Sequence, residues 1–204
     1  MNKLLIIGAS GHGKVIADIA LATKIYREIV FLDDDENILE CRGFSVIGKV
    51  SDLGHYVSEY EMVVAIGNAQ TRRRIMEQVE TAGGTLATLI HPQAVVSKYA
   101  SIGIGTVVMP GTVINAGATI GKGCIVNTSA SVDHDCRIGD YVHVSVGAHL
   151  AGTVSIDECT WIGIGAVVSN NIHICGQCMI GAGAVVVSDI TVSGTYVGVP
   201  AKLA

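Results

Sequence analysis

Three histidines lie close together in the segment SVDHDCRIGDYVHVSVGAHLAG, which spans residues 131–152: His134, His143 and His149. Imidazole titrates near neutral pH, so a histidine can take a proton from an attacking nucleophile. Asp133 and Asp135 flank His134, and either carboxylate could orient its ring and raise its basicity. The pattern predicts a general base at His134. A surface histidine with no role is the alternative, above all for His149.

Metal chemistry is the rival interpretation of these residues. A zinc site needs three imidazoles that converge on one point, whereas His143 and His149 are six residues apart and fall on different faces of the repeat described below. Cys175 and Cys178 form a C-x-x-C with no second pair to complete a zinc site. We therefore predict no metal, with a histidine site formed between subunits as the alternative. The cysteines are predicted to be reduced thiols that pack, with redox or metal use as the alternative.

A glycine turn near the start of the chain indicates a phosphate-binding site. The turn GASGHG contains Ser10, Gly11 and His12, and it lies between the apolar run KLLII and the helix-like VIADIALA. Glycines let the backbone approach a phosphate, and a helix N-terminus favours its negative charge. Alternatively, the glycines only turn the chain, and His12 only caps the helix.

Two further polar groups follow apolar runs that read as strands. Asp33 and Asp34 belong to an acidic run after FL, and Gly67 and Asn68 end the run MVVAIGN. The carboxyl ends of parallel strands meet at one edge of a sheet, where ligands bind. Carboxylates there can accept ribose hydroxyls, so the sequence predicts a nucleotide site. A solvated acidic cap is the alternative.

A six-residue period organises the rest of the chain. From Val96 to Val192 every sixth residue is aliphatic, at seventeen consecutive positions. Small residues mostly stand two positions earlier, and glycines, or residues such as Asp135 and Asn171, stand at the turns. This period is typical of a parallel β-helix built from hexapeptide repeats.

The repeat also acts as a lattice. If three hexads close one coil, residues eighteen apart stack roughly 4.8 Å from each other. His134 then lies at a corner beneath Gly152, so that a base neighbours an unobstructed backbone amide. Ile164 and Ala182 stack on one edge. A base beside a backbone N–H suits acyl transfer, in which the N–H stabilises an oxyanion.

The overall composition excludes some classes of partner. The 204 residues carry a net charge of −5 and no basic cluster beyond Arg72-Arg73-Arg74, which we expect on a solvated helix face, so a nucleic-acid surface is not predicted. The first apolar run is too short for a signal peptide or membrane span. We predict a cytoplasmic protein with two domains, residues 1–90 and 91–204.

The motifs together resemble one known family. GASGHGKV, FLDDD, AIGNAQTRR, LIHPQAVVS, the hexads, VDHDCRIGDYVHVSVGAHLAG and YVGVPAKL are similar to the sialic-acid O-acetyltransferase/PglD-like sugar acyltransferases. The resemblance implies a small Rossmann-like α/β domain with a parallel sheet, followed by a left-handed β-helix. It also implies a homotrimer with active sites between subunits.

The resemblance further implies acetyl-CoA as cosubstrate and a nucleotide-linked, commonly UDP-linked, 4-amino-4,6-dideoxy sugar as acceptor. His134 matches the general base and Asp135 the acid beside it, where the family usually has glutamate. The acetyl-CoA contacts implied are His143, Gly152, Ile164 and Ala182. The substrate contacts implied are Ser10, Gly11, His12, Asp33, Asp34, Gly67 and Asn68.

Two other functions stay open at this point. The family includes sugar O-acetyltransferases of the sialic-acid type, and a hydroxyl nucleophile needs a base even more than an amine does. A regular β-helix could also serve as a noncatalytic, nucleotide-binding trimeric scaffold. The pairing of His134 with Asp135 favours an enzyme.

Overall fold

The computed structural model describes residues 2–204. The chain divides into two compact units, the first ending at Pro92 and the second covering Gln93–Ala204. The sequence places this boundary at residue 90. No helix within residues 2–204 is both long enough and apolar enough to cross a membrane.

The first unit is a small α/β domain with a parallel sheet. Its elements are β1 (Asn2–Ile7), α1 (Gly11–Thr23), β2 (Tyr26–Leu32), β3 (Glu40–Cys41), β4 (Phe44–Ser45), a 3-10 helix (Val50–His55), β5 (Glu61–Val64), α2 (Ala69–Thr81), β6 (Thr85–Leu86) and β7 (Leu89–Ile90). The sheet order is β2-β1-β5-β6, with all pairs parallel. The short strands β3 and β4 form a separate antiparallel pair. The predicted Rossmann-like α/β domain is confirmed.

The apolar runs of this unit form its core. Residues 4–7 of β1 are fully buried, as expected for a strand covered on both faces of a parallel sheet. Helix α1 buries Ile16, Ala17, Ile19 and Ala20, and this 3-4 spacing places them on one side of the helix. The core therefore holds the carboxyl ends of the strands and the start of α1 in place.

The glycine turn between β1 and α1 needs glycine at two of its positions. Gly8 has φ +108°, and a Cβ added to Gly13 would lie 2.1 Å from the Gly8 carbonyl oxygen. Gly11 differs, because a Cβ there would meet no atom within 4 Å. The fold of the turn therefore requires glycine at positions 8 and 13. It does not require glycine at position 11, where the space in front of the helix is open.

The arginine triplet at the start of α2 is not uniformly solvated, contrary to our prediction. Arg74 is exposed, but Arg72 is only 1% exposed. Its Nη1 donates to the carbonyl oxygens of Ile66 at 2.9 Å and Gly67 at 2.7 Å. A buried cation is tolerated when it is hydrogen-bonded, and these carbonyls lie in the loop that precedes α2.

The second unit is the predicted parallel β-helix. Its strands are β8 (Val95–Val96), β9 (Ser101–Ile102), β10 (Val107–Val108), β11 (Val113–Ile114), β12 (Thr119–Ile120), β13 (Ile125–Val126), β14 (Ser131–Val132), β15 (Arg137–Ile138), β16 (His143–Val144), β17 (His149–Leu150), β18 (Ser155–Ile156), β19 (Trp161–Ile162), β20 (Val167–Val168), β21 (His173–Ile174), β22 (Met179–Ile180), β23 (Val185–Val186), β24 (Thr195–Val197) and β25 (Lys202–Leu203). The helix is left-handed and has about six turns.

The strands form three faces, each an in-register parallel ladder. Face one contains β8, β11, β14, β17, β20 and β23; face two contains β9, β12, β15, β18 and β21; face three contains β10, β13, β16, β19 and β22. Strand β24 extends face three in parallel, and β25 pairs with β24 antiparallel. Partners such as Ser131 and His149 are eighteen residues apart, so the predicted lattice is confirmed.

The interior of the β-helix explains the sequence period. From Val108 to Val186 the aliphatic residue of each hexad is buried and points inward, and so does the small residue two positions earlier, as Ala130 and Val132 show with 0% exposure. The predicted period fails at its last position, because Val192 is 61% exposed and Ile190, at 4% exposure, is buried instead. At the corners, the residue three positions after the aliphatic one adopts the left-handed conformation, in which glycine is favoured. Asp135 and Asn171 fill such corners with φ of +58° and +61°, and aspartate and asparagine tolerate them better than most residues.

Candidate active site

His134 lies at the corner that joins β14 on face one to β15 on face two. Its Nδ1 lies 2.9 Å from Asp135 Oδ2, and the two side chains are 57% and 64% exposed. The positive φ of Asp135 turns the chain at this point, so that two consecutive side chains meet instead of pointing to opposite sides of a strand. An aspartate therefore reaches the imidazole, although it is one methylene shorter than the family's usual glutamate.

A second carboxylate supports the same corner. Asp133 Oδ1 accepts the His134 backbone N–H at 2.8 Å and the Asn115 side-chain amide at 2.8 Å. These two hydrogen bonds, that of Asn115 first, lower the pKa of Asp133, so it stays ionised. The hydrogen bond that His134 donates to the Asp135 carboxylate, followed by the charges of Asp133 and Asp135, raises the pKa of His134. The imidazole is a stronger base than a free histidine.

Gly152 lies directly against the His134 ring, as the lattice predicts. A Cβ added to Gly152 would lie 2.4 Å from His134 Nε2 and 2.6 Å from Cε1. Glycine is therefore what allows the imidazole to occupy this position. The Gly152 N–H donates to no acceptor among residues 2–204, and Gly152 lies one coil from His134.

His143 and His149 occupy different faces, as predicted. His143 on face three is 8% exposed, its ring centroid lies 4.4 Å from that of Trp161, and its Nε2 lies 3.1 Å from the Asn127 amide nitrogen. His149 on face one is exposed, with its Nδ1 2.8 Å from Ser131 Oγ. The two imidazoles therefore do not converge on one point, as a zinc site would require.

Ile164 and Ala182 lie at another corner of the β-helix, between face three and face one. Both are exposed, and Ile164 is 61% exposed. They stack through the Gly183 N–H, which donates to the Ile164 carbonyl at 2.8 Å. The sequence-derived pair is thus adjacent, but a single chain places it at a different corner from His134.

In the first unit, Ser10, Gly11 and His12 surround the start of α1. Ser10 is the N-cap residue, yet its side chain makes no capping hydrogen bond. His12 Nε2 is buried and has no hydrogen-bond partner among the described residues. Burial, and secondarily the charge of Arg72, lowers the pKa of His12 to about 4, so this imidazole is neutral at physiological pH.

Asp33 and Asp34 follow β2 and hold the loops at the same sheet edge. Asp33 accepts the backbone N–H of Ala9 at 2.6 Å through one oxygen and that of Asp35 at 2.9 Å through the other. Asp34 accepts the Val50 N–H at 2.9 Å. Both carboxylates therefore have structural partners, and Asp33 ties the glycine turn to the end of β2.

Gly67 and Asn68 lie between β5 and α2. Asn68 is the N-cap of α2, and its side chain accepts the Thr71 N–H at 2.9 Å. The Gly67 carbonyl accepts from Arg72 at 2.7 Å. The predicted substrate residues of this unit thus follow β1, β2 and β5, at one edge of the sheet, and each loop is anchored by hydrogen bonds.

The cysteines and acidic residues of the described chain form no metal centre. Within residues 2–204, no group of three or more His, Cys, Asp or Glu side chains is arranged to hold a metal ion. The six cysteines are free thiols. Cys175 Sγ and Cys178 Sγ lie 3.6 Å apart, and burial, with a smaller effect of Cys175, raises the pKa of Cys178 to about 11.

Sequence reasoning missed three residues that support the site. Asn115 lies one coil from Asp133, so the eighteen-residue step could have identified their hydrogen bond. The same step does not link Asn127 to His143, which are sixteen residues apart. Arg72 carried no signal, because an arginine among arginines on a polar helix is typical of a solvated surface.

Comparison with known proteins identifies relatives of both units. Residues 3–79 match the family model described as the PglD N-terminal domain. UDP-N-acetylbacillosamine N-acetyltransferase from Bacillus subtilis (strain 168) is 38% identical over 108 residues, 52% of this chain, and the match spans only half of that curated relative.

Solved structures match over nearly the whole chain. The acetyltransferase domain of PglB from Neisseria gonorrhoeae FA1090 is 45% identical, with 100% of both chains covered and a TM-score of 0.96; a second structure of it contains acetyl coenzyme A. PerB from Caulobacter crescentus, in complex with CoA and GDP-perosamine, is 36% identical, with 99% of this chain and 97% of that chain covered and a TM-score of 0.93. The chain therefore belongs to the PglD-like family of β-helical sugar acetyltransferases.

Proposed function

We propose that this chain is an acetyl-CoA-dependent N-acetyltransferase that acts on the C4 amine of a nucleotide-linked 4-amino-4,6-dideoxy sugar, with UDP as the nucleotide. The observation that carries the proposal is the exposed His134 imidazole, bonded to Asp135 at 2.9 Å and lying against Gly152. The names of the relatives support the substrate class, since one acts on a UDP-linked sugar and another binds GDP-perosamine with CoA.

In the proposed mechanism, His134 is the proton acceptor. The Asp135 carboxylate on Nδ1 favours the tautomer that carries its proton there, which leaves Nε2 with a free lone pair. The neutral amine attacks the thioester carbonyl, and Nε2 takes the proton that the nitrogen loses. When the tetrahedral intermediate collapses, the CoA thiolate leaves and receives that proton, so no acyl-enzyme forms.

Gly152 is proposed to stabilise the developing negative charge. Its N–H lies beside the base and has no acceptor within the described part of the chain. A donor that is already in place and needs no reorganisation stabilises an oxyanion effectively. The absence of a side chain at Gly152 also lets the substrate approach both the base and this amide.

The acetyl-CoA site is proposed to lie between two chains of a homotrimer. His134 lies between faces one and two, whereas Ile164 and Ala182 lie between faces three and one. A second copy could bring its exposed Ile164 corner next to the His134 of its neighbour. His143, which is largely buried against Trp161, would then support the adjoining face. This arrangement would explain why Ile164 is exposed at a corner of the chain that has no His134 beside it.

The first unit is proposed to bind the nucleotide. The start of α1 offers free backbone N–H groups and the unused Ser10 hydroxyl to a pyrophosphate, and the helix dipole favours that charge. His12 contributes a neutral imidazole, so it can act as a hydrogen-bond partner without adding charge. Asp33, Asp34, Gly67 and Asn68 are proposed to contact the remaining nucleotide at the same sheet edge.

A direct assay tests this proposal. The purified protein is given acetyl-CoA and one of three acceptors: a UDP-linked 4-amino-4,6-dideoxy sugar, its GDP-linked counterpart, or sialic acid. Thiol release is measured, and the product is identified by mass spectrometry and NMR. We expect one acetyl group on N4 of the UDP-linked sugar, with kcat/KM about 10²-fold above the other acceptors. Preferred acetylation of a sialic acid hydroxyl would establish the O-acetyltransferase alternative instead.

A further inference from the structure

Face two of the β-helix carries a stack of polar side chains that the proposed acetyl transfer does not use. Arg137 pairs with Ser155 across the ladder, and Ser155 pairs with His173 on the next strand. Side chains at paired positions of a parallel ladder point to the same side and lie one strand spacing apart. A cation, a hydroxyl and an imidazole are therefore adjacent on an outward surface.

The contacts within this stack have the order of a nucleophile, a base and an acid. Ser155 Oγ lies 3.0 Å from His173 Nδ1. On the other side of the ring, His173 Nε2 lies 3.4 Å from Asp157 Oδ2. The His173 backbone N–H also donates to Asp189 Oδ1 at 2.8 Å, which helps to fix the strand that carries the imidazole.

These groups are accessible to a small molecule. The side chains of His173 and Asp157 are 43% and 53% exposed. A groove of about 330 Å³ lies beside Ser155 and Asp157; its lining also includes Thr119 and Arg137, but not His173. Its volume falls at the lower end of the range for small-molecule sites.

Each group in the stack matches a role in nucleophilic catalysis. A serine hydroxyl is activated by an imidazole that it can donate to, and a carboxylate on the other ring nitrogen stabilises the imidazolium that forms. The Arg137 guanidinium, one rung from Ser155, can stabilise an oxyanion, as a side-chain cation or amide does elsewhere.

A similar serine–histidine pair on face one, Ser131 and His149, differs from the Ser155 stack in one respect. Ser131 Oγ lies 2.8 Å from His149 Nδ1, and the two residues are again eighteen apart. Asp133 stands two positions after Ser131, as Asp157 stands two positions after Ser155. However, Asp133 accepts from Asn115 and from the His134 N–H instead, and within residues 2–204 no carboxylate forms an ion pair with His149. Of these two stacks, the one at Ser155 alone combines the hydroxyl, the imidazole and the acid.

From these contacts we infer that Ser155, His173 and Asp157 form a second catalytic site, which hydrolyses small activated acyl esters. Ser155 Oγ attacks the ester carbonyl while its proton passes to His173 Nδ1. The C–O bond to the alcohol breaks, and the alkoxide leaves with that proton. Water then adds to the acyl-serine with His173 as base, which releases the carboxylic acid and restores Ser155. Asp157 acts as a positioning residue.

The experiment uses p-nitrophenyl acetate as the ester and the full chain as the enzyme. Ser155→Ala is expected to lower kcat/KM for nitrophenol release about 10²-fold, and His173→Gln by a similar factor. Ser131→Ala, the matched control, should leave the rate unchanged. A fluorophosphonate probe should label Ser155, as identified by peptide mass spectrometry, and Asp157→Asn should slow that labelling and alter its pH profile.

Three results would overturn the inference. The first is hydrolysis by Ser155→Ala at the rate of the unmodified chain. The second is a loss of rate in His173→Gln alone, because the imidazole would then be the nucleophile. The third is equal labelling of Ser131 and Ser155. The ester site does not depend on the proposed function: His134→Ala should retain ester hydrolysis, and Ser155→Ala should retain N-acetyl transfer.

Discussion

His12 and His134 are placed in opposite electrostatic environments within one chain. His134 is exposed at a β-helix corner, where the carboxylates of Asp135 and Asp133 raise its pKa. His12 is enclosed at the start of α1, where burial and Arg72 lower its pKa to about 4. The comparison shows that the surroundings decide the role of an imidazole: one is suited to accept a proton, and the other stays neutral beside a proposed ligand.

The strongest test of this contrast is the removal of the base. His134→Ala should lower kcat for acetyl transfer by about 10²–10⁴-fold, the usual range for loss of a general base. His149→Ala, an exposed imidazole on face one, is the matched control and should keep full activity. Thiol release from acetyl-CoA measures both. An unchanged kcat in His134→Ala would end the assignment of His134 as base.

The neutrality of His12 predicts a pH dependence of stability. Its folded pKa of about 4 lies below the ordinary value of 6.5, so the unfolded chain binds more protons between these values. The contribution of neutral His12 to the free energy of unfolding is therefore fully present above pH 6.5. It is lost as the pH falls towards 4, a change of about 3 kcal/mol.

His12→Gln should remove that part of the pH dependence, because glutamine does not titrate. Urea unfolding curves above pH 6.5 and near pH 4 measure the difference between the two chains. If the free energy of unfolding changed equally with pH in the unmodified chain and in His12→Gln, His12 would not be the group that causes this pH dependence.

Gly152 offers a way to displace the base without removing it. In Gly152→Ala, the new methyl would lie 2.4 Å from His134 Nε2, so the exposed ring should move. A displacement of about 1 Å can cost about 10²-fold in rate, and we expect kcat to fall by about that factor while the melting temperature changes little. Gly54→Ala is the control, since an added Cβ there meets no atom within 4 Å. Full activity in Gly152→Ala would contradict the close contact.

The smallest expected effect is that of Asp135→Asn. Asparagine tolerates the left-handed backbone about as well as aspartate does, so the corner should keep its shape. The loss of the carboxylate lowers the pKa of His134, which moves the acidic limb of the kcat/KM profile to lower pH. Because a weaker base accepts the proton less readily, the plateau should also fall several-fold. If the acidic limb of the kcat/KM profile stayed at the same pH, Asp135 would not be what raises the pKa of His134.

The β-helix was predictable because its sequence repeats. A period of six and a coil of eighteen place each side chain at a known face and height, which located His134 beneath Gly152 and stacked Ile164 on Ala182. Even the contact between His134 and Asp135 depends on the corner conformation that the period implies. The same step also links Ser155 to His173, so that stack was within reach of the sequence.

The first unit was predictable only in outline. The apolar runs and the glycine turn gave the order of strands and helices, but they do not tell which polar groups face inward. Arg72 is buried because the carbonyls of Ile66 and Gly67 satisfy its guanidinium, and Asp33 is drawn to the Ala9 N–H. Such contacts join loops that are distant in sequence, so no period reveals them.

The most direct test of the contrast between the two histidines is an NMR titration of the imidazole Cε1–H signals, assigned with His12→Gln and His134→Ala. The pKa of His134 should lie above the ordinary value of 6.5 and fall in Asp135→Asn, while His12 should stay neutral until the pH approaches 4. Two histidines that titrate together near 6.5 would contradict the assignment of one as a base and the other as a neutral ligand contact.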